Sequence, residues 1–146
     1  MAITKILYRN GGLRQAIDYI TNPVKTDENL LTDYVRCDPG YAAQQMMDTK
    51  RALGKTAGRQ CYHIIQSFKP DEITPELAHE IARQFATAHL PGYEAVIATH
   101  VDKAHIHSHI VFNSVNAVTG KMYHSTCENY YRQIRGVSDW LCKAHG

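Results

Sequence analysis

Four of the nine histidines in this chain, His100, His105, His107 and His109, fall within ten residues of one another, while the other five are scattered. Neutral imidazole is the commonest metal-ligating side chain, so a cluster this dense points to an ion-binding centre. The spacing sharpens that expectation. Glu94 to His100 and Ile106 to Asn113 are two apolar runs joined by a polar connection, the pattern of a β-hairpin. In the second run a period of two places Ile106, Ser108, Ile110 and Phe112 on one face and His107, His109, Val111 and Asn113 on the other. In the first, His100 shares a face with Ala98 and Val96. Pairing His100 opposite His107 would bring their Cβ atoms to ~4.5–5.5 Å, with His109 on the ~7–8 Å diagonal. Metal–nitrogen bonds of zinc-like ions are ~2.0–2.1 Å, so three imidazoles placed this way can converge on one ion. Three ligands leave coordination positions open, as a catalytic site requires. Asp102, in the connection, could hydrogen-bond the second ring nitrogen of a ligand and fix its tautomer. His105 stands as a fourth candidate ligand. A His-rich stretch that binds metal adventitiously is the alternative, but unpaired imidazoles are costly to bury on a core-like strand pair.

Elements able to hold this hairpin are legible along the chain. Ala2 to Tyr8 suggests a strand ended by Asn10-Gly11-Gly12, after which Leu13, Ala16, Ile17 and Ile20 recur at helical spacing until Pro23. Residues 21–38 read as a loop with a short strand around Leu30 to Cys37. Pro39 opens a second helix carrying Met46, Met47 and Leu53, stopped by Gly54 and Gly58. Gln60 to Phe68 is aromatic and β-branched, hence a central strand. Thr74-Pro75-Glu76 starts a helix whose expected buried stripe is Leu77, Ile81, Phe85 and Ala88, ended by Pro91-Gly92. A last helix is expected from about Thr126 to Ala144, with Tyr130, Ile134, Val137 and Leu141 on one face. Interspersed strands and helices without repeats or linkers imply one mixed α/β (α+β) domain with helices packed on a sheet.

The bulk properties exclude several classes. With 146 residues, 44% of them hydrophobic and 21% charged, the chain is long and apolar enough for one core without disulfides or structural metal. The stretch Met1 to Tyr8 lacks a signal-peptide core, and no apolar run approaches the ~20 residues of a membrane span. Cys37, Cys61, Cys127 and Cys142 form no C-x-x-C pair, so they are expected to be reduced, structural thiols of a cytoplasmic protein. A net charge of +2 names no partner. Its distribution says more: residues 1–26 hold Lys5, Arg9, Arg14 and Lys25 against Asp18, whereas residues 70–94 hold five acids against Arg83. A polyanion could contact the basic ends while the acidic helix faces away, although a solvated surface shows the same pattern.

The run His100-Val101-Asp102, then His107-Ser108-His109-Ile110-Val111-Phe112-Asn113, followed by Val115-Asn116 and Thr119-Gly120-Lys121, resembles the metal motif of the relaxase/mobilisation nuclease family, within the HUH endonucleases. Ala16 to Thr26 (AIDYITNPVKT) resembles that family's nucleophile motif. Tyr62 to Phe68 and the final helix are also similar, so the likeness covers nearly the whole chain. The resemblance implies an antiparallel central sheet flanked by helices. The implied activity is site- and strand-specific nicking and rejoining of DNA at an origin of transfer, through a 5′-phosphotyrosine intermediate, to initiate conjugation or mobilisation.

By motif position the resemblance makes His100, His107 and His109 the ligands of one divalent ion, Mn²⁺ or Mg²⁺ before other transition metals, and Tyr19 the nucleophile. It also implies single-stranded or hairpin origin DNA, a relaxosome accessory protein and a type IV secretion coupling protein as partners. The expected setting is the bacterial cytoplasm, with transfer to a recipient cell on the DNA. Members are usually much longer, so residues 1–146 are expected to be the N-terminal nuclease domain of a larger protein. One departure stands out. Ser108 occupies the position between the paired histidines that the superfamily name gives as hydrophobic, while His105-Ile106-His107 fits that name literally. The Ile-Val-Phe-Asn run after His109 favours the His107/His109 register.

A tyrosine hydroxyl, with pKa ~10, needs a base, positive charge or metal to attack a phosphodiester near neutral pH. A divalent ion can orient the phosphate and offset transition-state charge. Asp102 could orient a ligand or accept the proton, and the adjacent Tyr130 and Tyr131 are rival nucleophiles. Lys5, Arg9, Arg14, Lys25, Lys121, Arg132 and Arg135 are candidate phosphate contacts, with exposed tyrosines available to stack unpaired bases. The other readings are a rolling-circle replication initiator, a non-catalytic metal- and DNA-binding accessory module, and a hydrolase of small phosphate esters. The last lacks a visible carboxylate-rich second metal site.

Overall fold

Residues 3–26, 31–101, 104–124 and 136–144 are described by a computed structural model of the chain. Its elements in order are β1 (Ile3–Arg9), α1 (Leu13–Ile20), β2 (Thr32–Val35), α2 (Ala42–Ala52), β3 (Cys61–Phe68), α3 (Pro75–His89), β4 (Ala95–His100), β5 (Ile106–Asn113) and α4 (Gly136–Ala144). The strands form one sheet in the order β1-β3-β5-β4-β2, and every neighbouring pair is antiparallel. The histidine strand β5 therefore lies in the middle, with β4 and β3 on either side.

Each face of the sheet carries a separate core. On one face, Leu13, Ala16, Ile17 and Ile20 of α1 and Ala42, Ala43 and Met46 of α2 pack on Cys61, Val96, Ala98 and Val111. The buried α1 positions recur at the three- and four-residue spacing of one helical stripe, so Arg14, Asp18 and Tyr19 are left facing outward. Gly12, at φ 68°, turns the chain from β1 into α1 through the left-handed region that glycine enters without strain. At the other end, Thr21 closes the helix by donating its backbone N–H and its hydroxyl to the Ile17 carbonyl, at 3.0 and 2.8 Å.

On the opposite face, Ile81, Ala82, Phe85 and Ala86 of α3 pack on Tyr62, Ile64, Ala95, Ile97, Ile110 and Phe112, with Cys142 of α4 against the same cluster. The start of α3 matches the sequence expectation: Thr74 Oγ1 accepts the Leu77 N–H at 3.2 Å, and Pro75 sits in the first turn. Its buried stripe differs from the expected one. Ala88 is exposed and Leu77 only half-buried, while Ala78, His79, Ala82 and Ala86 are buried. A hydrophobic periodicity overlooks His79, whose burial is made possible by two hydrogen bonds described below. For the last helix, only 136–144 is helical within the described residues, and Tyr130, Ile134 and Cys127 lie outside them. Cys37, Cys61 and Cys142 are free thiols. None of the helices among the described residues is long and apolar enough to cross a membrane.

Candidate functional site

The pairing that would bring the hairpin histidines onto neighbouring rungs is the one observed. His100 of β4 pairs with His107 of β5, and the rung continues through Ser67 of β3 to Ile3 of β1. The next rung on the same face is Ala98, His109, Ile65 and Lys5. Helices α1 and α2 pack over Cys61, Val96, Ala98 and Val111 on this face and leave the side of these two rungs toward β3 and β1 open. The opening is a cavity of about 220 Å³ lined by Lys5, Tyr19, Lys25, Ile65, Ser67, His100, His107 and His109.

Tyr19 enters this cavity from the last turn of α1. Its ring lies edge-on to His100 and His109, with centroids at 5.7 and 6.2 Å, and is 51% exposed. Two hydrogen bonds hold the end of α1 and its following loop against the end of β4. His100 Nε2–H donates to the Ile20 carbonyl at 2.9 Å, and the Val101 N–H donates to the Lys25 carbonyl at 2.7 Å. The Lys25 ammonium sits 5.0 Å from the centre of the Tyr19 ring. Two cations, a phenol and three imidazoles thus border one space, a set suited to holding a phosphate beside a nucleophile.

His100 and His109 lie with their ring centroids 4.0 Å apart, and His107 is 6.3 Å from His109. His109 is pushed down to about 2, by burial first and then by His100, His63, His107 and Lys25. His63 is pushed down to about 4, again by burial first and then by His100 and Arg9. Both rings are therefore neutral at physiological pH, the form in which imidazole ligates a cation. The nitrogen bonded to the Ile20 carbonyl must carry a proton, so a neutral His100 ring would offer its lone pair at Nδ1. Among the described residues no three His, Cys, Asp or Glu side chains are already gathered as a ready-made ligand set. The donor set itself fits one divalent ion: imidazole nitrogens on adjacent rungs beside an open cavity.

The other expected site residues divide clearly. Of the candidate phosphate contacts, Lys5 and Lys25 line the cavity. Lys121 is exposed, and its carbonyl bonds Asn116 beyond the far end of β5, so it belongs to the opposite pole of the sheet. Arg9, paired with Cys61 at that same end, and the exposed Arg14 do not line the cavity either. Helix and strand periodicity set which way a side chain points but not which end of the sheet it reaches. His105 is exposed ahead of β5, with its ring 6.3 Å from His107, and does not line the cavity. Asp102, Tyr130, Tyr131, Arg132 and Arg135 lie outside the described residues. Two polar residues on the cavity face are not singled out by the sequence: Ser67, which lines the cavity beside Ile65, and His63, whose Nε2 lies 2.7 Å from His109 Nδ1. Alternation along β3 puts both on one face, but only the β3–β5 register sets that face beside His109.

The serine between His107 and His109 is accounted for by the other face of the sheet. Ser108 is fully buried, 2.9 Å from Thr99 Oγ1, and donates to the Ala78 carbonyl at 3.3 Å. Thr99 Oγ1 in turn lies 2.9 Å from His79 Nδ1, and His79 Nε2 is 2.6 Å from Asp33 Oδ2. This chain of polar groups runs from the β2 edge to the rung between the two histidine rungs, so a hydroxyl at position 108 is satisfied where a hydrophobic side chain was expected. The acidic helix α3 packs on this second face, away from the cavity.

Comparison with known proteins bears directly on this arrangement. The family described as relaxase, MobA/VirD2-like, nuclease domain matches residues 19–146. A protein rlx of Staphylococcus aureus is 35% identical over 146 residues, which cover 100% of this chain and 44% of that protein. The group II intron-interrupted relaxase LtrB of Lactococcus lactis subsp. cremoris is 58% identical over 138 residues, covering 76% of this chain and 24% of that protein. The chain spans less than half the length of these relatives. A chain from the solved structure reported as the molecular basis of vancomycin resistance transfer in Staphylococcus aureus shares the fold, with a TM-score of 0.65 at 10% identity, covering 100% of this chain and 94% of that one. The family match begins at Tyr19 and takes in the whole histidine hairpin, and on that ground this chain belongs to the relaxase family of MobA/VirD2-like nuclease domains.

Proposed function

We propose that this chain is a DNA-nicking and strand-joining domain whose nucleophile is Tyr19. The observation that carries the reading is the shared cavity of Tyr19 with His100, His107, His109, Lys5 and Lys25. The Tyr19 oxygen attacks the phosphorus of one phosphodiester at an origin of transfer. The new bond joins the 5′-phosphate to tyrosine, the bond from phosphorus to the 3′-oxygen breaks, and that oxygen leaves as the 3′-hydroxyl. Reversal rejoins the strand, because the phosphotyrosine keeps a bond of comparable energy. Asp102 is a candidate to take the phenolic proton or to orient a ligand.

His100, His107 and His109 would hold one divalent ion, Mn²⁺ or Mg²⁺, which when bound supplies Lewis-acid stabilisation of the phosphate. Lys5 and Lys25 contact the flanking phosphates, and their position at the open half of the sheet face suits a single strand or an unpaired hairpin end. The proposed setting is the initiation of conjugative transfer or mobilisation in a bacterial cytoplasm, with a relaxosome accessory protein and a type IV secretion coupling protein as partners.

The test is intact-protein mass spectrometry after incubation with Mn²⁺ and a single-stranded oligonucleotide from the origin of the element that encodes the chain. The expected product is protein plus the 3′-side fragment of the oligonucleotide, with the adduct on the Tyr19 peptide after digestion. An adduct on another tyrosine overturns the nucleophile, and cleavage without any adduct overturns the reaction class.

A further inference from the structure

We infer that His63 is a positioning residue for His109: it accepts the Nδ1–H of His109 and thereby selects the tautomer whose Nε2 lone pair is open to a divalent cation. This inference rests on the reading of His100, His107 and His109 as an ion site. His63 lies on β3 opposite Val111, one same-face step from the Ile65–His109 pair. Its Nε2 is 2.7 Å from His109 Nδ1, with the ring centroids 4.9 Å apart and the planes inclined by 44°. Two ring nitrogens this close need a single proton between them, since two lone pairs repel and two N–H groups clash.

That requirement leaves two arrangements. If His63 donates, the neutral His109 ring carries its proton on Nε2 and has no lone pair left for a cation. If His109 donates, Nε2 is free to ligate and His63 carries its own proton on Nδ1. Only the second arrangement makes His109 a ligand. The partner of a ligating histidine is commonly a carboxylate or a backbone carbonyl. Here His109 meets an imidazole, and His100 donates to the Ile20 carbonyl.

The test combines ring-nitrogen NMR of the metal-free protein with calorimetric titration of Mn²⁺. In the wild type, His109 is expected to be protonated on Nδ1 and bare on Nε2. His63→Leu, which cannot accept a hydrogen bond, is expected to shift the His109 proton toward Nε2 and to weaken Mn²⁺ binding about 10- to 100-fold. His63→Gln offers a carbonyl acceptor and should keep most of the affinity and the wild-type tautomer. A wild-type His109 protonated on Nε2 overturns the inference, as does His63→Leu that binds Mn²⁺ as tightly as wild type. Should His63→Leu fail to fold, the wild-type tautomer and the Gln variant decide. The ion-site reading fails separately, if Mn²⁺ does not bind or still binds after His100→Ala and His109→Ala together, and the tautomer then still reports on His63.

Discussion

Tyr19 meets His100 edge-on, with ring centroids 5.7 Å apart, although one residue lies in the last turn of the first helix and the other ends the fourth strand. The contact is fixed from both sides, because the His100 ring also donates to the carbonyl of Ile20, the residue after Tyr19. The imidazole thus anchors the turn of helix that presents the phenol. Replacing Tyr19 by Phe keeps this packing and removes only the hydroxyl. Tyr19→Phe is therefore expected to abolish the covalent DNA adduct while shifting stability by less than ~1 kcal/mol, given the half-exposed ring. Adduct formation by mass spectrometry and a thermal melt of the same preparation check both halves.

Lys5 and Lys25 border the cavity, whereas Lys121 lies at the opposite pole of the sheet. Each phosphate contact on single-stranded DNA adds about 0.7 to the slope of log affinity against log salt. Lys5→Ala and Lys25→Ala should each lower that slope by about this amount and weaken binding across sequences, and Lys121→Ala should leave it unchanged. Fluorescence anisotropy across a salt series measures the slopes, and an equal loss for Lys121→Ala would argue for a different DNA path.

His79 is buried between Asp33 and Thr99, bonded to each at 2.6 and 2.9 Å. His79→Leu removes both partners and is expected to cost about 1–3 kcal/mol. Ser108→Ala removes a hydroxyl that meets Thr99 and Ala78, and about 1 kcal/mol is expected there. Urea unfolding with an unchanged m-value tests both, and a fall in m would mean that compactness had changed instead.

Burial holds His89 down to about 4, where its Nε2 meets the Tyr123 hydroxyl at 2.8 Å. The unfolded chain takes up a proton near pH 6.5, which the folded chain refuses until about pH 4. The stability present above pH 6.5 is therefore lost progressively as pH falls through that window. His63, also held at about 4, acts with the same sign in the metal-free protein. Melting temperature should drop between pH 6.5 and 4, and His89→Gln should make the drop shallower. An unaltered pH profile in that variant would place the acid sensitivity elsewhere.

Much of this arrangement is legible in the amino-acid sequence. The alternation of Ile106 to Asn113 fixes which residues share a face, and reading two apolar runs as a hairpin admits the pairing of His100 with His107 that the structure shows. The helical stripe of Leu13, Ala16, Ile17 and Ile20 likewise left Tyr19 on the outward side of α1. These are local properties: backbone stereochemistry sets periods of 2 and 3.6, and burial of apolar side chains selects the inward face. The motif likeness from Ala16 to Thr26 then singled out Tyr19 among nine tyrosines, which periodicity alone does not do.

What the tertiary structure decided was which distant residues meet. The order β1-β3-β5-β4-β2 puts His63 beside His109 and Lys5 on the same rung two strands away, and no local pattern encodes that order. It separated Lys5 and Lys25 from Lys121, Arg9 and Arg14, which by charge alone were equivalent. It also explained Ser108, since the hydroxyl's partners Thr99 and Ala78 come from another strand and a helix. Strand order and the docking of helices depend on long-range burial and on satisfying buried polar groups, which are properties of the whole assembled core rather than of any stretch of sequence.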